Sequence, residues 1–204
     1  METDAKDSEF NRVFGEQHKP VYNYVLRMVR ERSLAEELTQ DIFVKVYRSL
    51  SDYRGDSNLS TWLYRIATNA CLDYFRSRPH KKSEKTDLLS SEALLTSALP
   101  KDNQEPPNAE EELIAVQMSS CVRSYIDDLP EDYRAVILLH DLQGFTNPEI
   151  ARITGASLEN VKIRLHRARQ RMKEVFSSNC NFYRDERNVL RCVEKENNEC
   201  GDDV

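Results

Sequence analysis

Apolar positions recur along most of this chain at spacings of three and four, the period of one helix face. Leu38, Ile42, Val46 and Leu50 form one such stripe, with Phe43 and Tyr47 beside it. After a turn-like stretch from Asp52 to Asn58, the stripe resumes at Trp62/Leu63, Ile66/Ala67, Ala70 and Tyr74, with Ser60 as the expected N-cap. Phe10 to Arg78 therefore reads as several helices with short joints, and Pro79 as a stop. From Ala109 a further pattern runs through Leu113, Val116, Gln117, Cys121, Tyr125 and Ile126 to Leu129-Pro130. Glycine is scarce, 5 in 204 residues, and β-branched runs are few. The expected fold class is all-α: two small helical domains joined by a flexible acidic linker, with a cysteine-bearing C-terminal tail.

A second pair of helices is punctuated more sharply. Thr146 and Glu149 fit a capping box, Pro148 suits a first helical turn, and Gly155 suits the exit. Ser157 caps the next helix, whose buried stripe is expected to be Val161, Leu165, Ala168 and Met172. A short helix, a glycine turn and a second helix is the helix-turn-helix arrangement, which lays its second helix in a DNA major groove.

Charge sharpens that reading. The chain carries a net −6, which argues against nucleic acid until its distribution is considered. Ser83 to Glu112 holds eight acidic residues and two basic ones, so it accounts for the whole imbalance. Lys162 to Lys173 holds six Lys or Arg and no carboxylate. Phosphates respond to charge within about 10 Å, so the local excess matters more than the total. Lys162, Arg164, Arg167, Arg169, Arg171 and Lys173 are expected at phosphates. Glu159, Lys162, Ile163 and His166, nearer the helix start, are placed for base edges, and Ser157 and Asn160 are counted with them among the DNA-binding residues of this helix.

Three stretches together resemble the extracytoplasmic-function (ECF) sigma factors of bacterial RNA polymerase, within the sigma-70 family. They are Ala35 to Tyr47, Tyr53 to Asn69, and Leu129-Pro130-Glu131-Asp132-Tyr133-Arg134 through Asp141–Phe145 to Val161–Arg169. The match covers about residues 8 to 176, in the family's order. Asn147-Pro148 departs from it, since members more often carry a Tyr or a second acidic residue there. The resemblance implies a region 2 domain over 8–78, a linker over 79–110, a region 4 domain over 111–176, and an extension over 177–204.

It also implies roles. Glu37, Gln40, Asp41, Lys45 and Arg48 would dock on core RNA polymerase; read alone, they are an ordinary solvated face. Ser57, Asn58, Ser60, Arg65, Asn69 and Arg76 would handle the −10 promoter element, where an extruded base needs a polar receptor. The −35 element would fall to the basic helix. Trp62 belongs to an apolar stripe and is expected in the core, as are Cys71 and Cys121. The implied partners are core polymerase, promoter DNA and an anti-sigma factor. No apolar run approaches the roughly 20 residues of a membrane span, and the acidic start is no signal peptide, so the expected location is the bacterial cytoplasm.

Past Glu174 the family pattern ends. Cys180, Cys192 and Cys200, spaced C-x11-C-x7-C, lie in a polar tail with four basic and seven acidic residues. Three thiolates suit zinc or another thiophilic metal, but the close pairs of strong zinc motifs are missing. No cofactor is required by the rest of the chain. Phe182, Tyr183, Val189 and Leu190 offer the tail a way to fold back on a domain. Two other functions stay open on the residues alone. A stand-alone regulator would need a dimerisation seam, which the heptad pattern does not supply. A recombinase would need a nucleophile with a catalytic relay, and Ser57 and Ser60 have none beside them in the sequence.

Overall fold

A computed structural model of the chain describes residues 2–53, 58–77, 122–184 and 190–195. The linker over 79–110, Ser57, Pro79, Cys121 and Cys200 lie outside the described residues, as do Leu113, Val116 and Gln117.

The first domain is three helices, α1 (Glu2–Val29), α2 (Arg32–Ser49) and α3 (Leu59–Ser77), with a 3-10 turn at Leu50–Asp52. Helix α1 is longer than the expected start at about residue 8. It continues through Pro20, which lies inside the helix and exposed, and stops at Arg30 in the left-handed region (φ 63°). The α1 stripe Val21, Tyr24, Val25 and Met28 is fully buried. It meets Ala35, Ile42, Phe43 and Val46 of α2 and Leu63, Tyr64, Ala67 and Cys71 of α3. The predicted stripe on α2 holds for Ile42, Val46 and Leu50, while Leu38 is half-buried. Tyr24 donates or accepts a buried hydrogen bond with Thr68 at 2.8 Å, satisfying both hydroxyls inside the core.

The expected cap of α3 moves by two residues. Helix α3 begins at Leu59, so Ser60 lies in its first turn. Asn58 performs the capping: its side-chain oxygen accepts from the Ser60 amide at 3.3 Å, and its carbonyl accepts from the Trp62 amide at 3.1 Å. An Asn reaches its own following amides as readily as a Ser does, so either sequence position was chemically eligible.

The second domain contains the helical residues 122–127 (α4), α5 (Glu131–Ile137), α6 (Asn147–Thr154) and α7 (Leu158–Asn179). Helix α5 runs on into a π-helical turn, Leu138–Leu142, and Gly144 (φ 74°) then turns the chain toward α6. The basic helix extends beyond Lys173 to Asn179, six residues further than its charge pattern suggested. Two short strands follow, β1 (Cys180–Arg184) and β2 (Leu190–Glu194). They pair antiparallel, with Cys180 opposite Glu194 and Phe182 opposite Cys192. This hairpin adds to the two all-helical domains an element the sequence reading did not contain.

The two domains share one continuous core. Helix α6 packs on α3, and residues from Val13 to Ala168 belong to a single buried cluster. Tyr64 of α3 donates to the Gln143 side chain at 2.5 Å and sets its ring edge-on to Phe145 at 5.0 Å.

Candidate nucleic-acid interface

The helix-turn-helix is held by local chemistry the sequence had announced. The Thr146 amide and hydroxyl both donate to the Glu149 carboxylate, at 2.8 and 2.6 Å. Those side-chain and backbone hydrogen bonds hold the Glu149 carboxyl below its ordinary value of 4.5. Gly155 ends α6 at φ 68°, and the Ser157 hydroxyl accepts from the Asn160 amide at 3.2 Å to start α7. Val161, Leu165 and Ala168 are buried beneath α7, and Met172 is half-buried. Ile150 and Ile153 close the core from α6.

What remains outward on α7 is the expected face. Ser157, Glu159, Asn160, Lys162, Ile163, His166 and Arg167 are all exposed. Ile163 is notable as an apolar side chain left 40% open among polar neighbours. Such a residue suits contact with a thymine methyl.

Three of the predicted phosphate contacts are engaged within the protein. Arg164, half-buried, pairs with Asp132 at 3.0 Å. Arg169 donates to Asp141 at 2.6 Å and lies 3.1 Å from His140 Nδ1. The Arg171 guanidinium sits over the Tyr133 ring at 5.1 Å. These arginines brace α7 against α5 and the π-turn, so their charge is partly spent inside the domain. A cleft of about 920 Å³ runs along α7, lined by Lys162, His166, Arg169 and Lys173 on one side and by His140 and Asn147 on the other. Sequence reasoning missed His140 and Asn147, because they reach the cleft from other elements and carry no local signal. Asn147 Oδ1 is buried there with no hydrogen-bond partner among the described residues.

On the first domain, Arg65, Asn69 and Arg76 are exposed on α3, away from the buried Tyr64, Ala67 and Cys71. Arg76 is already ion-paired with Asp73 at 3.1 Å, an exposed pair that solvent screens. Asn58 is occupied in capping, and Ser60 is half-buried. Trp62 stays with the core and leans on Tyr53 at a 5.2 Å ring separation, as its stripe suggested. Cys71 is fully buried, which pushes its thiol up to about 12.

Glu37, Gln40, Asp41, Lys45 and Arg48 all lie exposed along α2. The structure adds an apolar component to that face. Val44 falls between Gln40 and Arg48 at i,i+4 spacing and is 41% exposed. Tyr47 and Phe14 are exposed alongside, and Phe10 meets Tyr47 edge-on at 5.1 Å. The sequence pattern set Tyr47 beside the apolar stripe, and in the structure α1 covers only part of it.

The tail does fold back. Cys180 is buried, with its sulfur 3.7 Å from the Tyr125 hydroxyl, and Phe176 packs edge-on against both Tyr125 and Phe182. Phe182 and Tyr183 nevertheless stay about half exposed. Lys195 closes the hairpin onto the end of α7 through the Ser177 carbonyl at 2.6 Å. Among the described residues no three His, Cys, Asp or Glu side chains come together as a metal site. Cys192 enters the hairpin two ladder positions from Cys180.

The architecture is two packed helical domains, one with an exposed polar face on α3 and the other with a capped helix-turn-helix at α6 and α7. Comparison with known proteins gives the family. The pattern described as Sigma-70 region 2 matches residues 13–80, and that described as Sigma-70, region 4 matches residues 119–172. The ECF RNA polymerase sigma-E factor of Escherichia coli K12 is 34% identical over 155 residues, 76% of this chain and 78% of its own. The ECF RNA polymerase sigma factor SigM of Bacillus subtilis is 31% identical, with 79% and 91% covered. The RNA polymerase sigma factor SigZ of the same organism is 29% identical, with 82% and 87% covered. In structure, CnrH bound to the cytosolic domain of CnrY superposes with a TM-score of 0.58 at 20% identity, covering 84% of this chain and 90% of that one. The sigma factor RpoE of Bartonella quintana, bound to the anti-sigma factor NepR, gives 0.58 at 21% identity, covering 83% and 97%. The chain belongs to the ECF sigma factors of the sigma-70 family. Among the described residues no helix is long and apolar enough to cross a membrane.

Proposed function

We propose that this chain is a promoter-specificity subunit of bacterial RNA polymerase, working in the cytoplasm and carrying no catalytic chemistry of its own. Residues 8–78 bind core polymerase through the α2 face and take up the −10 element on Arg65, Asn69 and Arg76. Residues 111–176 read the −35 duplex with α7. The observation that supports this most is the outward face of α7, where Lys162, Ile163, His166 and Arg167 stand exposed on a helix capped and braced from behind. Backbone-neutralising and base-contacting side chains there share one helix face at the spacing a major groove accepts. An anti-sigma protein is a further partner on this reading, as NepR is for the sigma factor RpoE of Bartonella quintana in its solved complex.

Run-off transcription with bacterial core polymerase over a promoter library tests the proposal. Transcripts that depend on both core enzyme and this chain support it; no such transcript from any promoter would overturn it.

A further inference from the structure

The hairpin brings the chain back to one end of the basic cleft. Lys195, the last described residue, donates its backbone N–H to the Asn179 carbonyl at 2.8 Å and its ammonium to the Ser177 carbonyl at 2.6 Å. Ser177 lines the cleft, which follows α7 back through Lys173, Arg169 and His166 to Lys162. These last four side chains are exposed. Among the described residues neither Lys162 nor Lys173 forms an ion pair. The carboxylate that lines the cleft, Glu174, already accepts from Gln170 at 3.3 Å. The cleft is therefore a strip of positive charge that begins where the hairpin ends.

Beyond Lys195 the sequence reads Glu196-Asn197-Asn198-Glu199-Cys200-Gly201-Asp202-Asp203-Val204, four carboxylates without a Lys or Arg. An extended chain advances about 3.3 Å per residue, whereas α7 rises about 1.5 Å per residue. Glu199, four residues past Lys195, can thus reach roughly 13 Å along the cleft. Arg169, eight residues before Ser177, lies roughly 12 Å along it. Asp202 can reach roughly 23 Å, and Lys162 lies at roughly 22 Å. Carboxylates three residues apart on the segment fall level with cations seven residues apart on the helix. Single exposed ion pairs are weak, but a short tether presents them at an effective concentration on the order of millimolar.

We propose that residues 196–204 lie back along the α7 cleft as an intramolecular shield, with Glu199 against Arg169 and Lys173 and Asp202 against Lys162. Seated there, the segment covers Lys162 and His166, two side chains assigned above to DNA. Arg167 does not line the cleft and stays open. Duplex DNA and the segment then compete for the same cations, and apparent DNA affinity falls by the fraction of molecules whose cleft is open. The shielding rests on the DNA-binding reading of α7; the seating of the segment does not.

Two measurements on the full chain test this. Carbodiimide joins a carboxylate to an amine where the two meet, so in an equal mixture of light and nitrogen-15-labelled protein, mass spectrometry reads which peptides are linked and whether within one copy. Links from Glu196 or Glu199 to Lys173, and from Asp202 or Asp203 to Lys162, are expected within a copy. No such link, or links between copies only, would overturn the seating. Fluorescence anisotropy with a mixed-sequence duplex at low salt then compares the wild type with a tail variant (Glu196→Gln, Glu199→Gln, Asp202→Asn, Asp203→Asn). A linker variant of equal net charge (Glu84→Gln, Asp87→Asn, Glu92→Gln, Asp102→Asn) separates local shielding from overall charge. The tail variant should bind about tenfold more tightly, as for a cleft covered about nine-tenths of the time, and the linker variant about twofold at most. The gap should close as salt rises, because the segment's ion pairs are screened too. A tail variant no tighter than the linker variant would overturn the shielding. If no form binds the duplex, the shielding falls together with the DNA-binding reading, while the cross-links still decide where the segment lies.

Discussion

The guanidinium of Arg134 donates to the backbone carbonyl of Met28, at 2.6 Å, across 106 positions of sequence. The same side chain reaches the carbonyls of Ile126, Asp127 and Leu129, so one arginine serves the end of α1 and the end of α4 together. Burial pushes its pKa down to about 10, which leaves it charged at neutral pH. Helix C-termini present carbonyls without internal partners and favour a cation, which is the environment Arg134 occupies.

Arg134→Ala should therefore destabilise the protein by about 2–4 kcal/mol, since several buried carbonyls lose their donor at once. Arg134→Lys should recover part of the loss by keeping the charge with fewer donors. Urea unfolding of both variants checks this; equal stability of Arg134→Ala and wild type would contradict the assigned role.

On α7, proposed above to face DNA, Arg167 and Arg169 should behave differently. Arg167→Ala should weaken duplex binding and lower the slope of log affinity against log salt by about 0.9, the release of one counterion. Arg169 is tied to Asp141, so Arg169→Ala should cost less. Asp141→Asn should strengthen binding by freeing that guanidinium. Fluorescence anisotropy with a −35 duplex at several salt concentrations measures all three, and identical slopes for the Arg167 and Arg169 variants would count against the distinction.

The capping box sets a pH dependence. Glu149 has a folded pKa below its unfolded value of 4.5, so its contribution is present above pH 4.5 and fades as pH falls through the folded pKa. The stability difference between wild type and Glu149→Gln should shrink over that acidic range. A difference that stays constant from pH 7 to 3 would show the carboxylate is not the stabilising species.

Gly155 should resist replacement for a backbone reason alone. A Cβ there meets nothing within 4 Å, but φ is +68°. Gly155→Ala should cost about 1–2 kcal/mol, the left-handed penalty for an L side chain, and Gly155→Asn less. Thermal unfolding of the pair checks the order; an Ala variant at least as stable as the Asn one would refute it.

Cys71 should be inert among the chain's five cysteines. It is fully buried and its thiol is pushed up to about 12, so almost no thiolate exists at pH 8. Wild type and Cys71→Ala should show the same number of fast-reacting thiols with Ellman's reagent. One fewer in the variant would place Cys71 at the surface.

The site was unevenly legible in the chain. Thr146, Glu149, Gly155 and Ser157 could be read from sequence because caps and left-handed exits are settled within four residues of backbone. The open face of α7 followed by subtraction of the Val161–Leu165–Ala168 stripe. The capping of α3 was misplaced at Ser60, since Asn58 competes for the same amides on equal chemical terms. The hairpin at Cys180–Arg184 and Leu190–Glu194 escaped notice, because its two strands are short and its pairing is not a periodic signal.

By itself, then, the sequence determined the family, the helices, the two-domain plan and the identity of the outward residues on α2, α3 and α7. These depend on short-range periodicity and capping, which act over a few residues. Only the tertiary structure decided that α6 lies on α3, that Arg134 bridges both domains, and that Arg164, Arg169 and Arg171 turn inward to Asp132, Asp141 and Tyr133. The side-chain contacts among them join positions 28 to 106 residues apart, and all but Arg134–Met28 lie within one domain. Complementary shape and charge at such distances leave no trace in local pattern, so only packing reveals which basic residues remain for DNA.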